Sequence, residues 1–160
     1  LPLAELDRFT MRLRLGYPDE ETERSILTDD PSRTILPSLQ PEMSLEAVVA
    51  LRREAEQMYC HPEIVATVTT VARKTREHPD IRYGVSPRGG LHLLATVRAL
   101  ARIRGRDYVS DTDLEDAVLP VLAHRLRGSE RSSDVTAVLA KIRDEELVAL
   151  RTRQAEGMVS

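Results

Sequence analysis

Apolar residues recur at helical spacing along most of this chain, and that limits its fold more than any other feature. Between Pro62 and Arg76 the apolar positions Ile64, Val65, Val68, Val71 and Ala72 share one helical face. Leu114, Ala117, Val118, Val121 and Leu122 repeat the pattern, as do Val135, Val138, Leu139, Ile142, Leu147 and Leu150. Each stripe needs another apolar surface to cover it, so the chain is expected to be mainly α, a helical bundle. Aromatics agree: they make up 3% of the residues, with no Trp and a single Phe, Phe9. The core must be aliphatic, which suits packed helices better than an antiparallel sandwich.

Start and stop signals divide the chain into about six helices. Asp19 caps a helix over about 20–28, and Ser44 caps one from Leu45 to about Gln57. Pro31, Pro37 and Pro41 mark 29–43 as an extended connection. His61-Pro62-Glu63 opens a helix that ends near Arg76. Ser86-Pro87 starts the next, which Gly105 stops. Ser110 and Asp113 form a capping box with Asp in place of Glu, and Pro120 is expected to kink the helix that follows. A polar break over 129–133 precedes an amphipathic helix over 134–155. Met11-Arg12-Leu13-Arg14-Leu15 alternates apolar and basic residues, a strand pattern. A lone strand is not stable, so this reads as the remnant of a sheet whose other strands lie outside the chain. The expected division is therefore 1–18, 19–128 and 129–160.

Several function classes are disfavoured. Net charge is −3, which argues against generic nucleic-acid binding. No apolar run approaches membrane-spanning length, and a single cysteine, Cys60, fits a reducing cytoplasm. The 160 residues hold no phosphate-binding G-x-x-x-x-G-K-[ST] loop. The histidines at 61, 78, 92 and 124 are scattered, without metal-ligand spacing, and read as structural or surface residues. No metal site is expected.

One segment stands out chemically. In Ser86-Pro87-Arg88-Gly89-Gly90, serine caps a helix and Arg88 occupies its first turn. A cation there opposes the helix dipole and costs about 0.3–1 kcal/mol when exposed. Each glycine costs about 1 kcal/mol relative to alanine inside a helix. A bound anion would reconcile the three choices. Equally open is an Arg88 that lies along the surface or pairs with a local acid such as Asp80. The adjoining charges of Asp7-Arg8 read on their own as a solvated surface pair.

Those two segments also carry a resemblance. Leu1-Pro2-Leu3-Ala4-Glu5-Leu6-Asp7-Arg8-Phe9, then Met11-Arg12-Leu13 and Gly16-Tyr17-Pro18, resembles the end of the ATPase core in MoxR-family AAA+ proteins. Residues 73–76, Gly84-Val85-Ser86-Pro87-Arg88 and Ala95 through Ala101 resemble that family's helical lid. So do Gly105-Arg106-Asp107-Tyr108-Val109, Asp113-Leu114 and His124-Arg125-Leu126. The match runs in order from residue 1 to about 145.

The resemblance implies a C-terminal lid region whose parent hydrolyses ATP with Mg²⁺. Segment 11–15 would be the last strand of the α/β core. Arg8 resembles an arginine finger acting in the ATP site of the next subunit, and Arg88 resembles sensor 2, which touches phosphates bound to its own chain. Tyr17 and Pro18 fall where such proteins pass the adenine. The implied partners are the other subunits of a homo-oligomeric ring, a hexamer, and proteins bearing von Willebrand A domains. The implied task is chaperone-like remodelling or maturation of protein complexes. The Walker A, Walker B and sensor 1 elements are not in this chain, so it is expected to bind no cofactor and to be inactive alone. The Gly89-Gly90 pair also departs from the small side chains the family places there. Two other readings remain: a non-enzymatic helical interaction module docking through 134–155, and the lid of a magnesium-chelatase-like AAA+ subunit.

Overall fold

The computed structural model describes residues 3–130 and 134–157. They fall into two units, Leu13–Leu51 and the rest of the chain.

The larger unit is a helical bundle around the aliphatic stripes. In chain order it holds α1 (Leu3–Leu6), the end of α4 (Leu45–Glu56), α5 (Pro62–Glu77), β1 (Ile81–Tyr83), α6 (Pro87–Ile103), α7 (Asp111–Leu122), β2 (Arg127–Gly128) and α8 (Val135–Gly157). The stripes meet as their periodicity requires: α5 packs on α6 and α8, and α7 packs on α6 and α8. Leu93, Leu114, Leu122, Leu139 and Leu150 are wholly buried in one aliphatic cluster. The stripe of α8 is thus core, which leaves a docking role for 134–155 without its apolar face. Ion pairs from Arg151 to Asp111 (2.6 Å) and from Arg153 to Glu63 (2.7 Å) add to that packing at the rim. Being half-exposed, each is worth little.

Caps follow the sequence signals. His61 Nδ1 accepts from the Glu63 amide at 3.2 Å, and Ser86 Oγ accepts from the Gly89 amide at 3.2 Å. Asp134 accepts from the amides of Thr136 and Ala137 and opens α8. Asp113 does more than cap. It is fully buried, takes the Ser110 amide at 2.9 Å, and holds Arg104 and Arg106 by bonds of 2.5–2.8 Å. Burial works to raise its pKa, yet the bonds from Arg106 and Ser110 prevail and keep it below the ordinary 3.8. Its two arginines clamp the C-terminal end of α6 to the start of α7.

Two departures from expectation have plain causes. Segment 11–15 has no strand partner among the described residues and carries no regular secondary structure; the strands lie elsewhere. An alternating pattern needs a ladder to become a strand. Helix α7 runs through Pro120 and gives way two residues later to a 3₁₀ turn at Ala123–Arg125.

The strands β1 and β2 pair antiparallel, Ile81 opposite Gly128 and Tyr83 opposite Arg127. This ladder places residues 124–126 beside the connection from β1 to α6. Thr75 anchors that connection from α5: its buried hydroxyl donates to the Ala72 carbonyl at 2.7 Å and accepts from the Val85 amide at 3.0 Å. Gly84 lies against α5 so closely that a Cβ would stand 2.7 Å from the Arg76 backbone.

The smaller unit holds α2 (Glu20–Asp29), α3 (Pro31–Thr34), a 3₁₀ turn at Leu36–Ser38 and the start of α4. The expected extended connection over 29–43 therefore contains short helical turns. Pro31 is the first residue of α3 and Pro37 the second of the 3₁₀ turn, within the first turn, where a missing N–H costs nothing. Asp19 caps α2 through the Thr22 amide at 2.8 Å. No residue of this unit is buried.

Gly84→Ala should destabilise the bundle by about 1–3 kcal/mol, because the new methyl meets backbone that α5 holds in place. Gly90→Ala should be neutral or stabilise by up to about 1 kcal/mol. A Cβ there meets only Val68 Cγ1 at 3.9 Å. Urea titrations of both variants check the contrast.

Candidate functional site

Arg88 stands in the first turn of α6, exposed, and no other described residue pairs with it. Asp80 does not partner it; the Asp80 amide donates to His78 Nδ1, and its carbonyl accepts from the Ser129 amide. Arg88 is thus a cation without a partner among the described residues, at the end of a helix where a cation is disfavoured. Its glycine neighbours divide. A Cβ on Gly89 would lie 2.8 Å from Val85 Cγ1 and 3.0 Å from Arg125 Cδ, so this glycine makes room for another arginine. Gly89 therefore has a packing reason, and the anion argument rests on Arg88 with Gly90 alone.

Arg8 is likewise exposed and, among the described residues, unpaired. Its neighbour Asp7 does not form a solvated pair with it. The Asp7 carboxylate accepts from the Ser86 hydroxyl at 3.0 and 3.1 Å and from Arg125 Nε at 3.1 Å. Tyr17 is fully exposed and Pro18 is exposed; both belong to the smaller unit.

The group that organises this region is Arg125, 2% exposed. Nη1 donates to the carbonyls of Thr10 (3.2 Å) and Val121. Nη2 reaches the carbonyls of Asp7 (3.3 Å) and Phe9 (2.5 Å) and His92 Nδ1 (2.5 Å). Nη2 has two hydrogens for these three contacts and shares them; because arginine has no acceptor, the ring nitrogen is the acceptor in its contact with His92. His124 Nε2 lies 3.0 Å from Nη1 and 3.1 Å from the Phe9 carbonyl. The consistent assignment has its N–H donating to Phe9, because two carbonyls already take the Nη1 protons. Burial pulls the Arg125 pKa down and Asp7 opposes this. A guanidinium stays charged all the same.

Two of the scattered histidines are thus brought together by Arg125. Sequence reasoning placed it only inside a family motif, without a role. The signal was Gly89, whose missing side chain marks where Arg125 passes, but the two lie 36 positions apart in the chain.

No group of three or more His, Cys, Asp or Glu among the described residues could hold a metal. No described helix is long and apolar enough to cross a membrane.

Comparison with known proteins fits this geometry. Residues 73–145 match the model of the AAA lid domain. The chain is 34% identical over 126 residues to the uncharacterized protein YeaC of Bacillus subtilis, and 33% identical over 135 residues to Chaperone MoxR1 of Mycobacterium tuberculosis. Each alignment covers 79% of this chain, and 39% and 35% of those proteins respectively. Protein MoxR of Paracoccus denitrificans is 29% identical over 145 residues, covering 79% of this chain and 43% of that protein. The chain thus spans about two fifths of the length of these curated relatives. A solved structure described as a "putative ATPase" from Cytophaga hutchinsonii shares the fold, with a TM-score of 0.77 at 24% identity, over 89% of this chain and 47% of that one.

Burial holds the His124 pKa below the ordinary 6.5, while its bond to Phe9 opposes the shift and the Arg125 charge adds to it. Above about pH 6.5 the ring is neutral folded and unfolded, and contributes no slope. Below it the unfolded chain takes up a proton first, so stability should fall by at most about 1.4 kcal/mol per pH unit until the folded pKa is reached. Urea midpoints from pH 7.5 down to 5 should show this decline, and His124→Gln should flatten it.

An AAA lid match, the MoxR relatives and the helical bundle agree, and the chain belongs to the MoxR family of AAA+ proteins, whose helical lid it carries.

Proposed function

We propose that this region senses nucleotide in a MoxR-type AAA+ ATPase and couples ATP binding and hydrolysis to chaperone-like remodelling of protein complexes. One observation carries the reading: Arg88 is an exposed cation in the first turn of α6, without a partner among the described residues, inside the segment matched as an AAA lid. Its guanidinium fork and the helix N-terminus both favour a phosphate. Arg8 is a second exposed cation without a partner among the described residues, so both side chains fit an anionic ligand.

ATP with Mg²⁺, when bound to the longer protein, supplies a terminal phosphoryl whose oxygens carry the charge of the transition state. Arg88 binds that terminus from the lid of its own chain, as a sensor 2 residue. Arg8 offers its charge to the site of a neighbouring ring subunit, as an arginine finger. Tyr17 and Pro18 line the adenine. Lid position then reports which nucleotide state the ring holds, and partners bearing von Willebrand A domains receive the result in the cytoplasm.

In the longer protein, Arg8→Ala should lower ATP turnover by about 10³-fold or more with nucleotide affinity nearly unchanged. Arg88→Ala should lower both turnover and affinity. Steady-state turnover and binding of a fluorescent ATP analogue measure the two quantities. An Arg8 variant that loses binding in step with rate would rule out the finger role. The 160-residue chain alone should show no turnover, and robust hydrolysis by it would overturn the assignment.

A further inference from the structure

Arg125 holds the backbone on both sides of Arg8. A single nitrogen, Nη2, donates to the carbonyl of Asp7 and to the carbonyl of Phe9. Nη1 takes the next carbonyl, Thr10. Nε takes the Asp7 carboxylate. Residues 7–10 thus wrap one buried guanidinium, and Arg8 is the member of that wrap whose side chain is left exposed. The Arg12 amide extends the attachment by donating to the Pro120 carbonyl at 2.9 Å.

The same Asp7 carboxylate also reaches the N-terminal end of the helix that bears Arg88. It accepts from the Ser86 hydroxyl, and that oxygen in turn accepts from the Gly89 amide, so one Ser86 side chain serves both the cap of α6 and the segment bearing Arg8. Arg88 lies two residues beyond Ser86, inside the turn so capped. A chain of hydrogen bonds therefore runs from the backbone that flanks Arg8, through Arg125 and Asp7, to the first turn of α6.

We propose that Arg125 is a positioning residue for Arg8, and that the Asp7 carboxylate is the latch through which Arg8 and Arg88 are coupled. The proposal rests on the roles given to those two arginines above. Arg125 touches no nucleotide in this scheme; it acts by fixing where the Arg8 segment sits against α6. A lysine would not substitute, because one ammonium has neither the fork nor the five donors that this wrap uses.

Two measurements test it. In the 160-residue chain, Asp7→Asn should speed hydrogen exchange of the Arg12 amide while the core amides of Leu93 and Leu139 stay protected. Unchanged exchange at Arg12 overturns the latch, and so does equal acceleration at Leu93 and Leu139, which would make Asp7 a general stability group. In the longer protein a double-mutant cycle reads the coupling. Asp7→Asn should lower kcat by about 10²-fold with KM within about twofold, since misplacement by an ångström is enough for such a loss. In an Arg8→Ala background the same change should cost nothing further. Arg125→Lys should behave as Asp7→Asn does. Equal losses with and without Arg8 overturn the positioning role. Should Arg8→Ala alone leave turnover unchanged, the finger assignment fails instead, and the exchange measurement still decides whether the latch exists.

Discussion

The arrangement around the candidate site depends on one buried guanidinium. Removing a charge from water costs several kcal/mol even after relaxation, and only a nearly complete set of partners offsets it. Arg125 has that set: the Asp7 carboxylate, the carbonyls of residues 7, 9, 10 and 121, and the Nδ1 of His92. Each partner is constrained in return. Residues 7–10 cannot leave without stranding the cation. Gly89 must lack a side chain for Arg125 to pass. The ladder of β1 with β2 holds the backbone that follows Arg125 against Ile81–Tyr83.

The bundle separates its stability from its charged site. Its aliphatic core and the clamp of Asp113 on Arg104 and Arg106 hold α5 to α8 together. The Arg125 network attaches residues 7–12 to that body through hydrogen bonds and an ion pair. Arg8 and Arg88 are left over, exposed and without partners among the described residues. For Arg88, a cation where its own helix disfavours one, an anion would satisfy both the side chain and the helix N-terminus.

Local chemistry alone specified a good deal of this. The helices and their caps follow from period, Pro and Ser placement, because each interaction spans only a few residues. The oddity of Arg88 was visible for the same reason: the dipole that disfavours it belongs to its own helix. Asp113 was legible as a cap through Ser110, three positions away, though its two arginines were not.

Tertiary structure decided the rest. Asp7 looked like the partner of Arg8 because they adjoin, yet its partners are Ser86 and Arg125, 79 and 118 positions along the chain. Gly89 looked like part of an anion cradle, and it is the gap through which Arg125 passes. Segment 11–15 alternates like a strand, but a strand exists only where a neighbour supplies hydrogen bonds. In each case the deciding atom comes from a distant part of the chain. Hydrophobic period and capping are written within a few residues, whereas the partner of a buried charge is chosen by whatever the fold brings beside it.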